Sequence, residues 1–301
     1  NGTTQILSGN DIDTNYEFKP NRLDRYRFRV NGTGCLVSGH DGIQITLRTI
    51  PSTPPSLSTM DLPDNIKKYI APEQGVIYIT GATGSGKSTL LASIISDIAA
   101  EPKSNRKILT YESPIEFVYD DIEKTTAVVS QSEIPLHIPS FAAGVRNALR
   151  RKPRLILVGE ARDQETISSV LEAALTGHPV YTTMHTNGVA ETIRRLVGTF
   201  PKEERAGKTI DLIETVRLII WQKLVPTVDK KRVALREYLV FNDTVRDMLL
   251  EVDHTRITEK TREVLKSHGQ TMISDAKAKY DAKIISADIF KTLARGTEYE
   301  Q

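Results

Sequence analysis

A single cysteine, Cys35, stands in 301 residues. It cannot close an internal disulfide, so packing alone must hold the fold, and this usage fits a reducing cytoplasm. Net charge is scarce as well. Forty basic residues against 38 acidic leave +2, so no global field draws in nucleic acid and any basic feature has to be local. Aromatic residues make up 6% of the chain, too few to suggest the aromatic-rich basic groove of a DNA-translocating motor. Long apolar runs are missing: Leu155-Ile156-Leu157-Val158 and Leu218-Ile219-Ile220-Trp221 fall far short of the ~20 residues that cross a bilayer. No signal peptide or internal repeat is visible. The chain opens on Asn1, so a preceding segment is expected.

What the chain does have is Gly81-Ala82-Thr83-Gly84-Ser85-Gly86-Lys87-Ser88-Thr89, preceded by the apolar Val76-Ile77-Tyr78-Ile79-Thr80 and followed by Leu90-Leu91-Ala92-Ser93-Ile94-Ile95. This is a P-loop pattern between a strand and a helix. Its glycines let backbone N–H groups turn inward. With the positive end of the helix, those amides form a nest for the β- and γ-phosphates of a nucleoside triphosphate. Lys87 adds a point charge, and Ser88 offers a hydroxyl to Mg²⁺.

The stretch Thr49 to Thr59 contains Pro51, Pro54 and Pro55 and reads as an extended linker. We place an N-terminal domain at residues 1–50, the linker at 51–62, an ATPase domain at 63–242 and a helical region at 243–301. In the first segment Arg25-Tyr26-Arg27-Phe28-Arg29-Val30 and Ile43-Gln44-Ile45-Thr46-Leu47-Arg48 alternate as strands do, with the arginines 25, 27 and 29 on one face. Fifty residues without a disulfide make a poor independent core. The domain is therefore truncated, or it leans on a neighbour. Strand-like runs follow at Val76–Thr80, Lys107–Tyr111, Leu155–Val158, Val180–Thr183 and Val233–Val240. Helical faces at Phe141, Val145, Ala148, Leu149 and at Ile167, Val170, Leu171, Ala174 separate some of them. The expected fold is α/β: a RecA-like sheet with helices on both faces.

Hydrolysis needs a positioned water, a metal anchor and positive charge for the transition state. Leu155–Val158 runs into Gly159-Glu160, in the place of a Walker B motif. Many P-loop enzymes carry aspartate where this chain has Gly159, so Glu160 would serve Mg²⁺ through water or orient the attacking water. Glu112 and Glu116 follow another strand around Pro114; they could hold metal-bound water or activate the nucleophile. His185, in Thr182-Thr183-Met184-His185-Thr186-Asn187-Gly188, could contact the γ-phosphate, although a lone histidine is more often structural.

The order of these four elements, each at a strand end, resembles the secretion ATPase superfamily of type II and type IV secretion and type IV pilus motors. The resemblance runs from about Arg25 to about Val240 and includes Arg25 to Asn31, Leu47 to Pro51, Gly159-Glu160-Ala161-Arg162-Asp163 and Glu172 to His178. It is strongest toward the pilus-retraction branch and the Dot/Icm-type (type IVB) secretion ATPases with their conjugative relatives. In that family the acidic loop is the Asp box and the last element the His box. Here Glu112-Ser113 replaces the common Glu-Asp, so Glu112 and Glu116 must supply the acids. The resemblance implies a PAS-like α+β N-terminal domain, incomplete here, and a cytoplasmic homohexameric ring. It also implies recruitment to the inner face of the cytoplasmic membrane by an embedded secretion apparatus and its coupling proteins, with no nucleic-acid binding. It further implies that Arg29, Arg48 and Arg27 reach phosphates bound in the ring, whereas Arg25 reads as solvated. Among the basic residues Arg146, Arg150, Arg151, Lys152 and Arg154, some would face a neighbouring subunit, and most read equally well as a solvated helix end. The alternatives are a pilus-retraction motor and a nucleotide-gated adaptor without significant turnover.

Overall fold

The computed structural model describes residues 2–21, 24–51, 53–120 and 122–298. Asn1, Arg22, Leu23, Ser52, Asp121 and residues 299–301, assigned above to the N-terminal domain, linker, ATPase domain and helical region, lie outside the described residues. A short helix α1 (Gly2–Leu7) precedes the antiparallel strands β1 (Ile12–Phe18), β2 (Tyr26–Val37) and β3 (His40–Ile50). After α2 (Asp64–Lys67) come β4 (Gly75–Thr80), α3 (Lys87–Ala100), β5 (Lys107–Glu112), β6 (Val128–Glu133), α4 (Phe141–Leu149), β7 (Leu155–Val158), α5 (Gln164–Leu175), β8 (Pro179–Met184), α6 (Val189–Gly198), α7 (Arg205–Thr215), β9 (Val216–Pro226) and β10 (Arg232–Val240). The helices α8 (Asp243–Leu250), α9 (Ile257–His268), α10 (Met272–Asp281) and α11 (Ala287–Glu298) close the described chain.

The seven strands β4 to β10 form one sheet in the order β10-β9-β4-β8-β7-β5-β6, parallel except for the β10–β9 pair. Every residue of β4, β7 and β8 is buried, as a central parallel strand covered on both faces requires. Alternation then splits the core in two. Ile77, Ile79, Ile108 and Leu157 pack under α3, while Val76, Tyr78, Leu109 and Val158 pack under α4, α5, α6 and α7. The expected α/β sheet with helices on both faces is therefore present. Two strands of this sheet had no expectation: β6, whose Ser130, Gln131, Ser132 and Glu133 lack an apolar period, and β9, whose apolar run looked like any buried segment; β1 of the N-terminal sheet had none either.

The linker is less extended than its prolines suggested. Leu57–Met60 folds into a 3-10 turn, and Leu57 and Leu62 join the core beside α3. Two apolar side chains outweigh the extended bias of the prolines once a core is within reach. The buried Arg236 guanidinium donates to the carbonyls of Met60 and Asp61 at 2.6 and 2.7 Å, and its Nε donates to Gln222 at 2.9 Å.

The N-terminal sheet leans on the ATPase body, and it does so with its polar face. Arg27 is buried there, whereas Tyr16, Phe18, Tyr26, Ile45 and Leu47 on the other face stay about half exposed. Arg25 sits at the surface, bonded to Glu17.

One close approach matters for the site. Gly144 of α4 packs on the ring of Tyr111, the residue before Glu112; a Cβ at Gly144 would lie 2.6 and 2.7 Å from two ring carbons. Replacing an exposed helical glycine by alanine ordinarily gains about 1 kcal/mol, but overpacking a filled core costs about 1–3 kcal/mol. Gly144→Ala is therefore expected to destabilise the protein, and Gly144→Val more so; urea denaturation showing a stabilised Gly144→Ala would contradict this packing.

Candidate nucleotide site

The strands β4, β8, β7 and β5 are consecutive neighbours in the sheet. Their carboxyl ends deliver, in that spatial order, the P-loop, His185, Glu160 and Glu112 to one edge, the edge at which open parallel sheets bind ligands. A cleft of about 270 Å³ lies there, lined by Thr83, Gly84, Lys87 and Ser88 of the P-loop together with Glu112, Glu116, Glu160, His185 and Arg29. Four motifs scattered over more than a hundred residues thus share one cavity.

The P-loop is held from behind. Gly86 caps α3 with φ +82°, and Gly81 has φ +143°. A Cβ at Gly81 would fall 2.3 Å from the Gln222 carbonyl oxygen. The amide of Gln222 donates to the Ser85 carbonyl at 2.7 Å while its oxygen accepts from Arg236. The loop is therefore fixed through β9 and β10 to the linker carbonyls. Lys87 is buried and donates to the Gly81 and Ala82 carbonyls, both at 2.9 Å.

Glu160 follows a glycine for a steric reason. Gly159 donates to the Tyr111 carbonyl at 2.7 Å, and a Cβ there would meet that oxygen at 3.2 Å and the Glu112 Cα at 3.3 Å. The carboxylate consequently comes one residue later. It pairs with Arg162 at 2.6 Å and lies 3.4 Å from His185 Nε2. Burial, then the charge of Lys87, holds the His185 pKa below its ordinary value. The imidazole is thus neutral at pH 7, and its contact with Glu160 is a hydrogen-bonding approach rather than an ion pair.

Glu112 accepts from Thr110 Oγ1 at 2.6 Å and from Gln131 Nε2 at 3.1 Å. Arg29 donates to both oxygens of Asp13, at 3.0 and 2.6 Å, and approaches Glu116 at 4.0 Å. Arg48 is exposed and pairs with Arg29 across β2 and β3. Neither Arg48 nor Arg27 is among the residues that line the cleft; Arg27 instead binds the loop carbonyls of Ile115 and Glu116. Of the second basic cluster, Arg146 pairs with Glu165 and Arg151 donates to Ser130.

Sequence reasoning missed Arg162, Gln131, Gln222 and Arg236. Arg162 stood two places from Glu160 in a segment already noted; the other three touch the site only through tertiary contacts. Among the described residues no three His, Cys, Asp or Glu side chains group as a metal cage. Ser88 and Glu160 in one cleft are a sparse donor set that suits Mg²⁺, an ion that keeps several waters and shares phosphate oxygens.

A RecA-like sheet with a P-loop and three glutamates at its carboxyl edge defines a P-loop ATPase. The chain belongs to the Type II/IV secretion system protein family, whose model matches residues 22–278. It is similar to the crystal structure of the Legionella pneumophila ATPase DotB, with 68% identity, a TM-score of 0.91 and coverage of 98% of this chain and 80% of that one. The pilus retraction motor PilT with bound ADP superposes with a TM-score of 0.82 at 30% identity, covering 96% of this chain and 78% of that one. A twitching motility protein of Neisseria gonorrhoeae is 35% identical over 289 residues, 96% of this chain and 74% of that protein. No helix among the described residues is long and apolar enough to cross a membrane.

Burial pushes the Glu112 carboxyl up to about 7 from the ordinary 4.5, against the opposing bonds from Thr110 and Gln131. Between those values the unfolded chain loses a proton that the folded chain keeps. Folding stability from this group therefore falls as pH rises from about 4.5 to about 7 and is flat above. Glu112→Gln should remove that slope; denaturation curves across this window that keep the wild-type slope in the variant would rule out a protonated Glu112.

Proposed function

We propose that this protein hydrolyses ATP as the motor of a type IVB (Dot/Icm-like) secretion or conjugative transfer apparatus. It works as a homohexameric ring recruited to the inner face of the cytoplasmic membrane. The observation that carries the chemistry is the convergence of Lys87, Ser88, Glu112, Glu116, Glu160 and His185 on one cleft that the N-terminal Arg29 also lines. The likeness to DotB over nearly the whole chain favours a secretion machine over pilus retraction, which the similarity to PilT keeps as the second reading.

The P-loop amides and the N-terminus of α3 receive the β- and γ-phosphates. Lys87 exchanges its bonds to the Gly81 and Ala82 carbonyls for phosphate oxygens. Ser88, and Glu160 through water, hold Mg²⁺, which when bound neutralises charge on the phosphates. Glu160 orients the attacking water, with neutral His185 beside it at 3.4 Å to donate to the γ-phosphate. Glu116 and Glu112 close the acidic side of the cleft. Arg29 leaves Asp13 to face the transition-state charge, and Arg48 does so within the closed ring. An arginine so placed is worth roughly 10³–10⁵ in rate, about 4–7 kcal/mol of barrier, far above any surface ion pair. ATP binds the two arrangements unequally and so closes the N-terminal sheet onto the ATPase body across the linker.

Glu160→Gln should keep ATP affinity within about threefold while single-turnover hydrolysis falls by about 10²–10⁴. Arg48→Ala should lose turnover of the assembled ring. Undiminished hydrolysis in Glu160→Gln would refute the assigned water-orienting role, and wild-type protein that binds ATP without turnover would favour a nucleotide-gated adaptor.

A further inference from the structure

The loop from Ser113 to Tyr119 carries Glu116 and has no regular structure of its own. Its backbone groups are satisfied by side chains arriving from two directions. From the N-terminal sheet, the Arg27 guanidinium donates to the Glu116 carbonyl at 2.8 Å and the Ile115 carbonyl at 2.7 Å, and Asn15 Nδ2 donates to the same Ile115 oxygen at 3.0 Å. From β6, Glu133 accepts the Ile115 N–H at 3.3 Å, and Gln131 spans the Phe117 carbonyl at 2.9 Å and the Tyr119 N–H at 3.1 Å. Two atoms do double duty. Glu133 Oε2 accepts from both Asn15, at 2.7 Å, and the loop amide. Gln131 Nε2 donates to both the loop and the Glu112 carboxylate.

We propose that Asn15, Arg27 and Glu133 form a latch that ties the position of the N-terminal sheet to the Glu116 loop, and through Gln131 to Glu112. They are positioning residues of the ATPase site, and this inference rests on the nucleotide reading above. The physical ground is burial: Arg27 and Glu133 are 6% and 8% exposed, and at this contact each is satisfied through the loop backbone and Asn15, with Glu17 at 3.9 Å from Arg27, so a buried group that lost these bonds while still covered would be left costly and unpaired. A bidentate guanidinium on two successive carbonyls also fixes direction as well as distance. When the sheet moves, the loop moves with it. A consequence is that Arg27, whose guanidinium holds the loop, is not a phosphate-reaching arginine while the latch is closed.

The test is hydrogen exchange on the full chain, with and without a non-hydrolysable ATP analogue and Mg²⁺. In the wild type the analogue should slow exchange both in residues 113–119 and in β1 and β2. Arg27 variants risk unfolding the sheet, so the decisive ones are Asn15→Ala, which removes no charge, and Glu133→Ala, which removes the shared acceptor oxygen. Each should bind the analogue within about twofold of wild type and keep the loop response. Each should also lose the response in β1 and β2 and lower ATP turnover about tenfold. Because both act through one shared contact, the double variant should be no worse than the weaker single variant. Retention of the β1–β2 response in either variant, or additive losses in the double, would overturn the latch. Failure of the wild type to bind the analogue would instead sink the nucleotide reading beneath it.

Discussion

Three glutamates share one small cleft with Lys87 and Arg29, and acidic groups gathered in one place need compensating charge or bonding. The molecule solves this differently for each. Glu112 is half-buried, bonded to Thr110 and Gln131, and holds its proton more tightly than usual. Glu160 is matched by Arg162, and Glu116 has Arg29 at 4.0 Å. Lys87, with its charge buried beside the carbonyls of its own loop, feels both Glu160 and Glu116. A triphosphate adds further negative charge to this space, so its arrival must redistribute these cations. The same balance that makes the site stable is what makes it responsive to nucleotide.

That redistribution has routes to the rest of the chain. One runs from the P-loop through Gln222 and Arg236 to the linker carbonyls of Met60 and Asp61. Another runs from the Glu116 loop to Asn15 and Arg27 of the N-terminal sheet. Both end in buried or half-buried side chains bonded to backbone, which transmit displacement because a buried donor or acceptor left unpaired is costly. They account for why a polar face of the N-terminal sheet, and not its apolar one, meets the ATPase body.

Much of the ATPase core was legible from the residues alone. The P-loop between a strand and a helix is a local motif whose chemistry depends on backbone geometry that glycines declare openly. The strands ending near Glu112, Glu160 and His185 announced themselves as apolar runs, because central parallel strands are buried on both faces. β6 was illegible for the opposite reason: its Ser130, Gln131, Ser132 and Glu133 carry no hydrophobic period. The linker's turn was hidden because its prolines spoke for extension, while Leu57 and Leu62 answered to a core that only the folded chain provides.

The groups the site holds can be read from the residues: the phosphate-binding loop, its lysine, the acids and the histidine. Which arginine faces the cleft depends on packing between distant elements, since Arg27, Arg29 and Arg48 are equally basic and alternate equally well. Strand alternation assigns side chains to a face but not to a partner. Arg29 was placed by Asp13 on the neighbouring strand, Arg27 by two loop carbonyls nearly ninety residues away, and Arg48 by solvent; alternation within β2 and β3 encodes none of these surroundings.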